Sequence, residues 1–201
     1  MLRFFVAMAV ASSSLVLAAE PTTPAPEIKV ECYGVIRDGV VAIGGETTGT
    51  TIHFGKMIWD LSLNDDAKRA FAKEHSKQRV TVTGSLKRVA GTQIPVRWVV
   101  DVDQFSIPKE TPGKGSVLVT ATGKLRTAEG SGDESAMFIE TKGINWPLDF
   151  SKQPPLEAAA QKLLQKNVVV RGEFEKTDTA RPSQLLIHVN ALEVAAETRQ
   201  K

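Results

Sequence analysis

A single cysteine, Cys32, stands in a chain of 201 residues, so no intrachain disulfide can form and any oxidative role needs a second molecule. Charge of one sign is also scarce: 25 Lys and Arg face 23 Asp and Glu, a formal balance of +2. A protein built to neutralise many phosphates carries a larger basic surplus, so nucleic acid is not expected as a partner. Aromatic residues make up only 6% of the chain, with one Tyr and three Trp. Sequences of the N-x-S/T kind are absent, as are G-x-S-x-G, H-E-x-x-H and the G-K-[ST] end of a phosphate loop. No catalytic residue and no cofactor is therefore assigned. His53, His75 and His188 lack a metal-type partner two or four residues on, so no metal site is expected.

What is present begins with a leader. Met1–Glu20 reads MLRFFVAMAVASSSLVLAAE: Arg3 is a short positive region, and Phe4–Ala19 is apolar apart from three serines. Its length falls short of the roughly 20 residues of a spanning helix. Small side chains precede a cut after Ala19, so residues 1–19 read as a cleaved secretory signal. Cleavage removes Arg3. The expected location is the periplasm or the medium, in a bacterium. Residues 20–27, EPTTPAPE, form a proline-rich tether.

The remainder is one unit written twice. Gly34–Arg37 (GVIR) recurs as Gly123–Arg126 (GKLR), 89 residues on. Trp59–Leu63 (WDLSL) recurs as Trp146–Phe150 (WPLDF) at an offset of 87, and Val80–Leu86 (VTVTGSL) as Val168–Phe174 (VVVRGEF) at 88. Trp98, Val100, Val102 and Phe105 match Leu185, Ile187, Val189 and Leu192, again at 87. Between the copies lies Ser106–Gly115, SIPKETPGKG, a linker by composition. The expected domains are residues 28–105 and 116–193, with a tail over 194–201.

Each copy has a readable order. Alternating Val30, Cys32 and Gly34 mark a half-buried strand, matched by Val119, Ala121 and Gly123. A loop follows (Asp38–Thr50, Thr127–Glu134), then a hairpin turning at Gly55-Lys56 or Lys142-Gly143. A helix comes next. In copy two it is expected over Ser151–Gln165, with Pro154 and Pro155 in its first turn and Leu156, Ala159, Ala160, Leu163 and Leu164 on one face. In copy one Asn64 caps it, and Ala67, Ala70 and Phe71 face inward. Two strands close each unit.

This predicts a mainly β protein with one helix per repeat, β-β-β-α-β-β twice, the order of tandem five-stranded OB-fold-like barrels. With its G-x-I/L start, W-x-L-x-L third strand and V-x-V-x-G fourth strand, the chain resembles exported bacterial OB-fold proteins, the small periplasmic family. The resemblance covers both copies and implies ligand faces on strands two and three and the long loops.

The candidate ligand residues are few. Gly44–Gly49 (GGETTG) puts Glu46, Thr47 and Thr48 in a glycine-rich loop beside that face, where amides and hydroxyls could meet a ligand; the plainer reading is a tight, self-capped turn. Arg37, matched by Arg126, is either a rim salt bridge or an anion contact. Tyr33 has the opposite parity to Cys32 and reads as the exposed aromatic. The parity of Trp59, Trp98 and Trp146 assigns them to the core, and Cys32 matches Ala121, a small buried position. The leading expectation is a non-enzymatic binding or adaptor module for an unknown protein or small ligand. The alternatives are a single-stranded nucleic-acid or oligosaccharide binder, for which Lys87, Arg88 and Arg97 could form a basic strip, and an envelope enzyme or inhibitor.

Overall fold

The computed structural model describes residues 24–41, 47–90, 96–108, 117–128, 136–177 and 184–196. The leader and the expected linker cut, apart from residues 106–108, lie outside them. The protein is mostly β, with ten strands in one sheet and two short helices.

The first half contains β1 (Glu27–Val41), β2 (Thr47–Phe54), β3 (Met57–Ser62), α1 (Asp66–Glu74), β4 (Arg79–Val89) and β5 (Arg97–Ser106). The second contains β6 (Val117–Ala128), β7 (Ala136–Thr141), β8 (Ile144–Asp149), α2 (Pro154–Gln161), β9 (Asn167–Thr177) and β10 (Gln184–Val194). β1 pairs with β2, β2 with β3, β3 in parallel with β5, β5 with β4, and β4 returns to β1. β6, β7, β8, β10 and β9 repeat that circuit, including the parallel step between β8 and β10. Among the described residues no helix is long and apolar enough to cross a membrane.

Four glycines of the repeated motifs stand where strands cross most closely. A Cβ on Gly84 would lie 2.2 Å from the Asp101 carbonyl oxygen, and one on Gly172 would lie 2.1 Å from that of His188. Gly34 and Gly123 meet the His53 and Glu140 carbonyls in the same way. Only a missing side chain lets those backbones pass, which is why the motif glycines recur at fixed offsets.

The helices depart from expectation at their ends. The N-cap of α1 is Asp65, whose carboxylate accepts from the Lys68 N–H at 2.7 Å, and not Asn64. Its buried residue is Ala72, while Ala67 and Ala70 are exposed and Phe71 is half-buried against the core. Nine residues give too few turns for a wide apolar stripe. α2 stops at Gln161, and Leu163 and Leu164 pack on the core from the turns beyond it.

The halves are also joined. The first part of β1 pairs antiparallel with the start of β6, from Glu27 opposite Thr122 to Cys32 opposite Val117. Trp98 packs on Trp146 with ring centroids 5.1 Å apart, and Trp59 and Trp146 both lie against Phe174. Trp59 and Trp146 are buried as their parity requires, and the Trp146 Nε1–H donates to the Thr141 hydroxyl at 2.8 Å. Trp98 keeps the core parity but is half-buried.

Candidate nucleic-acid interface

The outward side chains of β1–β3 and β6–β8 are set by strand alternation. Ile36, Ile52, Trp59 and Leu61 point into the core, so Arg37, Thr51, His53, Ile58 and Asp60 take the other face, where Thr51 is nonetheless buried beneath its neighbours. The pairing lines them into cross-strand rows: Arg37 opposite Thr51 opposite Asp60, and Val35 opposite His53 opposite Ile58. In the second half, core residues Leu125, Met137, Ile139 and Trp146 leave Arg126, Phe138 and Pro147 outward, aligned across β6, β7 and β8. That row occupies the place of Arg37–Thr51–Asp60. Directly opposed residues on neighbouring strands have Cβ atoms about 5 Å apart, close enough for their side chains to act together.

Phe138 is half-buried and lies in register with Arg126 on one neighbouring strand and Pro147 on the other. Arg126 is held by an ion pair with Glu140. On the first half Ile58 is 60% exposed beside His53. The His53 ring, whose Nε2 lies 3.0 Å from the Thr51 hydroxyl, is held below its usual pKa by burial and then by the Arg37 charge. It therefore presents a neutral imidazole at neutral pH.

Around these rows lie cations without ion-pair partners among the described residues. In the first half they are Arg37, Lys77, whose N–H reaches the Ile36 carbonyl, and Arg79, opposite Val35. In the second half Lys124 lies opposite Asn167, and the Lys166 carbonyl accepts from the Leu125 N–H. These cations follow the junction of the first and fourth strands in each half.

The other expected site residues fare differently. Glu46 lies outside the described residues. Thr47 and Thr48 belong to β2, with Thr47 opposite Val41, so the loop is shorter than the Asp38–Thr50 segment expected. Arg37 is exposed. Tyr33 is a correction: it is only 5% exposed. It lies past the end of the β1–β6 pairing and before the β1–β2 pairing begins, opposite Thr81 of β4. Strand parity tells which face a side chain takes, not whether that face is open. The strip of Lys87, Arg88 and Arg97 is mostly neutralised, since Lys87 pairs with Asp101 and Arg97 with Asp60. Cys32 is fully buried, and burial pushes its thiol pKa up, which suits packing and not reactivity. Among the described residues no three His, Cys, Asp or Glu side chains are grouped to hold a metal ion. The sequence reading passed over Phe138, although its place between Met137 and Ile139 in an alternating strand already marked it as outward.

No protein-family model matches the chain, and no curated protein does. Among solved structures, the chain is similar to the wild-type single-stranded DNA-binding protein of Thermus aquaticus, at 12% identity and a TM-score of 0.49 over 88% of this chain and 97% of that one. A deletion mutant of the same protein gives 13% identity and the same TM-score over 87% and 97%. Against these neighbours the adaptor reading, and with it the exclusion of nucleic acid, is withdrawn. Its physical error was to use a whole-chain charge, which hides how cations are distributed, and to take Tyr33 as the exposed ring. A likeness this distant compares chain traces, so any case for binding has to come from this chain's own side chains.

Proposed function

We propose that this is an exported single-stranded nucleic-acid-binding protein. In this reading residues 28–105 and 116–193 are two OB-fold barrels, and the strand runs over the outer faces of β1–β3 and β6–β8. The observation that carries it is the Arg126–Phe138–Pro147 row: an outward, half-buried ring on the middle strand, with an arginine opposite it on one side and a proline on the other. A base stacked on such a ring gains about 1–3 kcal/mol, whatever its identity. The unpaired Arg37, Lys77, Arg79, Lys124 and Lys166 supply phosphate contacts, which release counterions as the strand binds. A flat row of this kind suits unpaired bases, because a duplex hides its base faces in the stack.

The test is fluorescence anisotropy with labelled single-stranded and duplex oligonucleotides across a salt series. Single strands should bind more tightly. Phe138→Ala should weaken binding about tenfold, and Arg37→Ala should lower the salt slope by about one. Equal binding of both forms, or no effect of Phe138→Ala, overturns the proposal, and binding only to oligosaccharides would assign the face to sugars. The export part is checked separately, by mass: the exported protein should lack Met1–Ala19.

A further inference from the structure

Beside the irregularity in the β1–β2 ladder just past Asp38, a cavity of about 450 Å³ opens between the strands and α1. Its floor is apolar, made by Leu61, Leu63 and Ala70. Its polar groups come from two sides. Asp38 stands at the β1–β2 edge, one residue past Arg37, and its Oδ1 accepts from the Thr50 hydroxyl at 2.7 Å. Thr50 is buried, so this bond fixes the carboxylate's orientation while Asp38 itself stays exposed. Lys73 lies on the opposite wall, in the last turn of α1. Arg69, beside it, is already committed to the Asp66 carboxylate and the Leu63 carbonyl. Among the described residues neither Asp38 nor Lys73 has an ion-pair partner.

The cavity thus offers one oriented acceptor, one free ammonium and an apolar floor, on the core-facing side of the sheet at the strand ends, one residue on from the outward Arg37 row, so a bound strand reaches it by passing round that end. We propose that it seats a single base of the bound strand, and that Asp38 selects a base carrying an exocyclic amino group. This rests on the nucleic-acid reading above. A carboxylate accepts from the N4 amino group of cytosine or the N6 amino group of adenine, and from the N1–H and N2 amino group of guanine. Thymine and uracil have no exocyclic amino group: their one donor on that edge, N3–H, is flanked by two carbonyls that the carboxylate repels. The base lies over Leu61, Leu63 and Ala70, and Lys73 meets the adjoining phosphate. The row at Phe138 reads no base identity, so selection belongs to this cavity alone.

The experiment compares labelled dC, dA and dT homopolymers of equal length with the unaltered protein, which removes any question of folding. Cytosine and adenine strands should bind about tenfold more tightly than thymine strands. In Asp38→Asn the side chain can donate to the thymine carbonyl, so the preference should vanish through a gain for thymine. Phe138→Ala should weaken all three strands while keeping the preference. Equal affinities, or a preference for thymine, in a protein that still binds single strands overturn the inference and leave the nucleic-acid reading standing. Failure of all strands to bind overturns both.

Discussion

His188 stands against Asp149 across the parallel β8–β10 pair, with Nδ1 2.5 Å from the carboxylate oxygen. The contact is close but not aligned as a hydrogen bond, and Nε2 faces Glu175 of β9 on the other side. Glu173 lies opposite His188 in the β9–β10 ladder. At the equivalent place in the first half, Asp101 takes the His188 position, paired with Lys87 and opposite Ser62. The two halves fill one structural position with different groups, a carboxylate in one and an imidazole in the other, each set against partners on neighbouring strands.

Replacing His188 by Ala would leave Asp149 and Glu175 facing each other without the ring between them. We expect a loss of about 1–3 kcal/mol in urea unfolding. His188→Lys, which sets an ammonium between the two carboxylates, should recover part of it. An unchanged midpoint in the Ala variant would show that the ring contributes no more than contact.

Asp149 also sets a pH dependence. Burial pushes its carboxyl pKa up, but the backbone N–H and hydroxyl of Ser151, together with His188, outweigh that and hold it below the usual range. A depressed folded-state pKa stabilises the fold above the unfolded value, near about 3.9, and the stabilisation is lost as pH falls through the folded value. Unfolding free energies measured down an acid series should therefore fall less steeply below about pH 4 in Asp149→Asn than in the parent protein.

Limited proteolysis reports on the join. Cutting within residues 106–115 should yield two fragments that stay together on gel filtration, because six residue pairs of β1 and β6 and the Trp98–Trp146 contact hold them. Trp98→Ala removes the ring contact and should let the cut fragments separate at lower urea. Fragments of the parent protein that part freely in buffer would contradict this.

Gly84→Ala should be among the most disruptive single substitutions in the first half. Its Cβ would stand 2.2 Å from the Asp101 carbonyl oxygen, and a paired backbone cannot retreat as a side-chain tip can. A cost of about 3 kcal/mol or more is expected in thermal or urea unfolding.

Much of this was legible in the sequence, for reasons that differ by element. The strands showed through because side chains alternate at period two, and the repeat doubled each signal: Val80, Val82 and Gly84 reappear as Val168, Val170 and Gly172. The tryptophans could be placed by parity. The helix ends could not, because Asn64 and Asp65 both suit a cap and only the chain path decides between them. The burial of Tyr33 was hidden for another reason: parity names the face a side chain takes and not what covers that face. The candidate site was half visible. Arg37 and Arg126 stood out by repetition, whereas Phe138 has Thr51 as its counterpart, and a repeat search favours what both copies share.

That divergence bears on the β1–β6 join. Two barrels made by self-association of one short chain would carry identical faces, since a change in one copy is a change in both. Linked in one polypeptide and bonded edge to edge, the two can drift apart residue by residue while their partnership is kept at fixed stoichiometry. One half holds an aromatic row and the other a pocket with a carboxylate, so any extended ligand spanning both would meet an asymmetric surface with a defined direction.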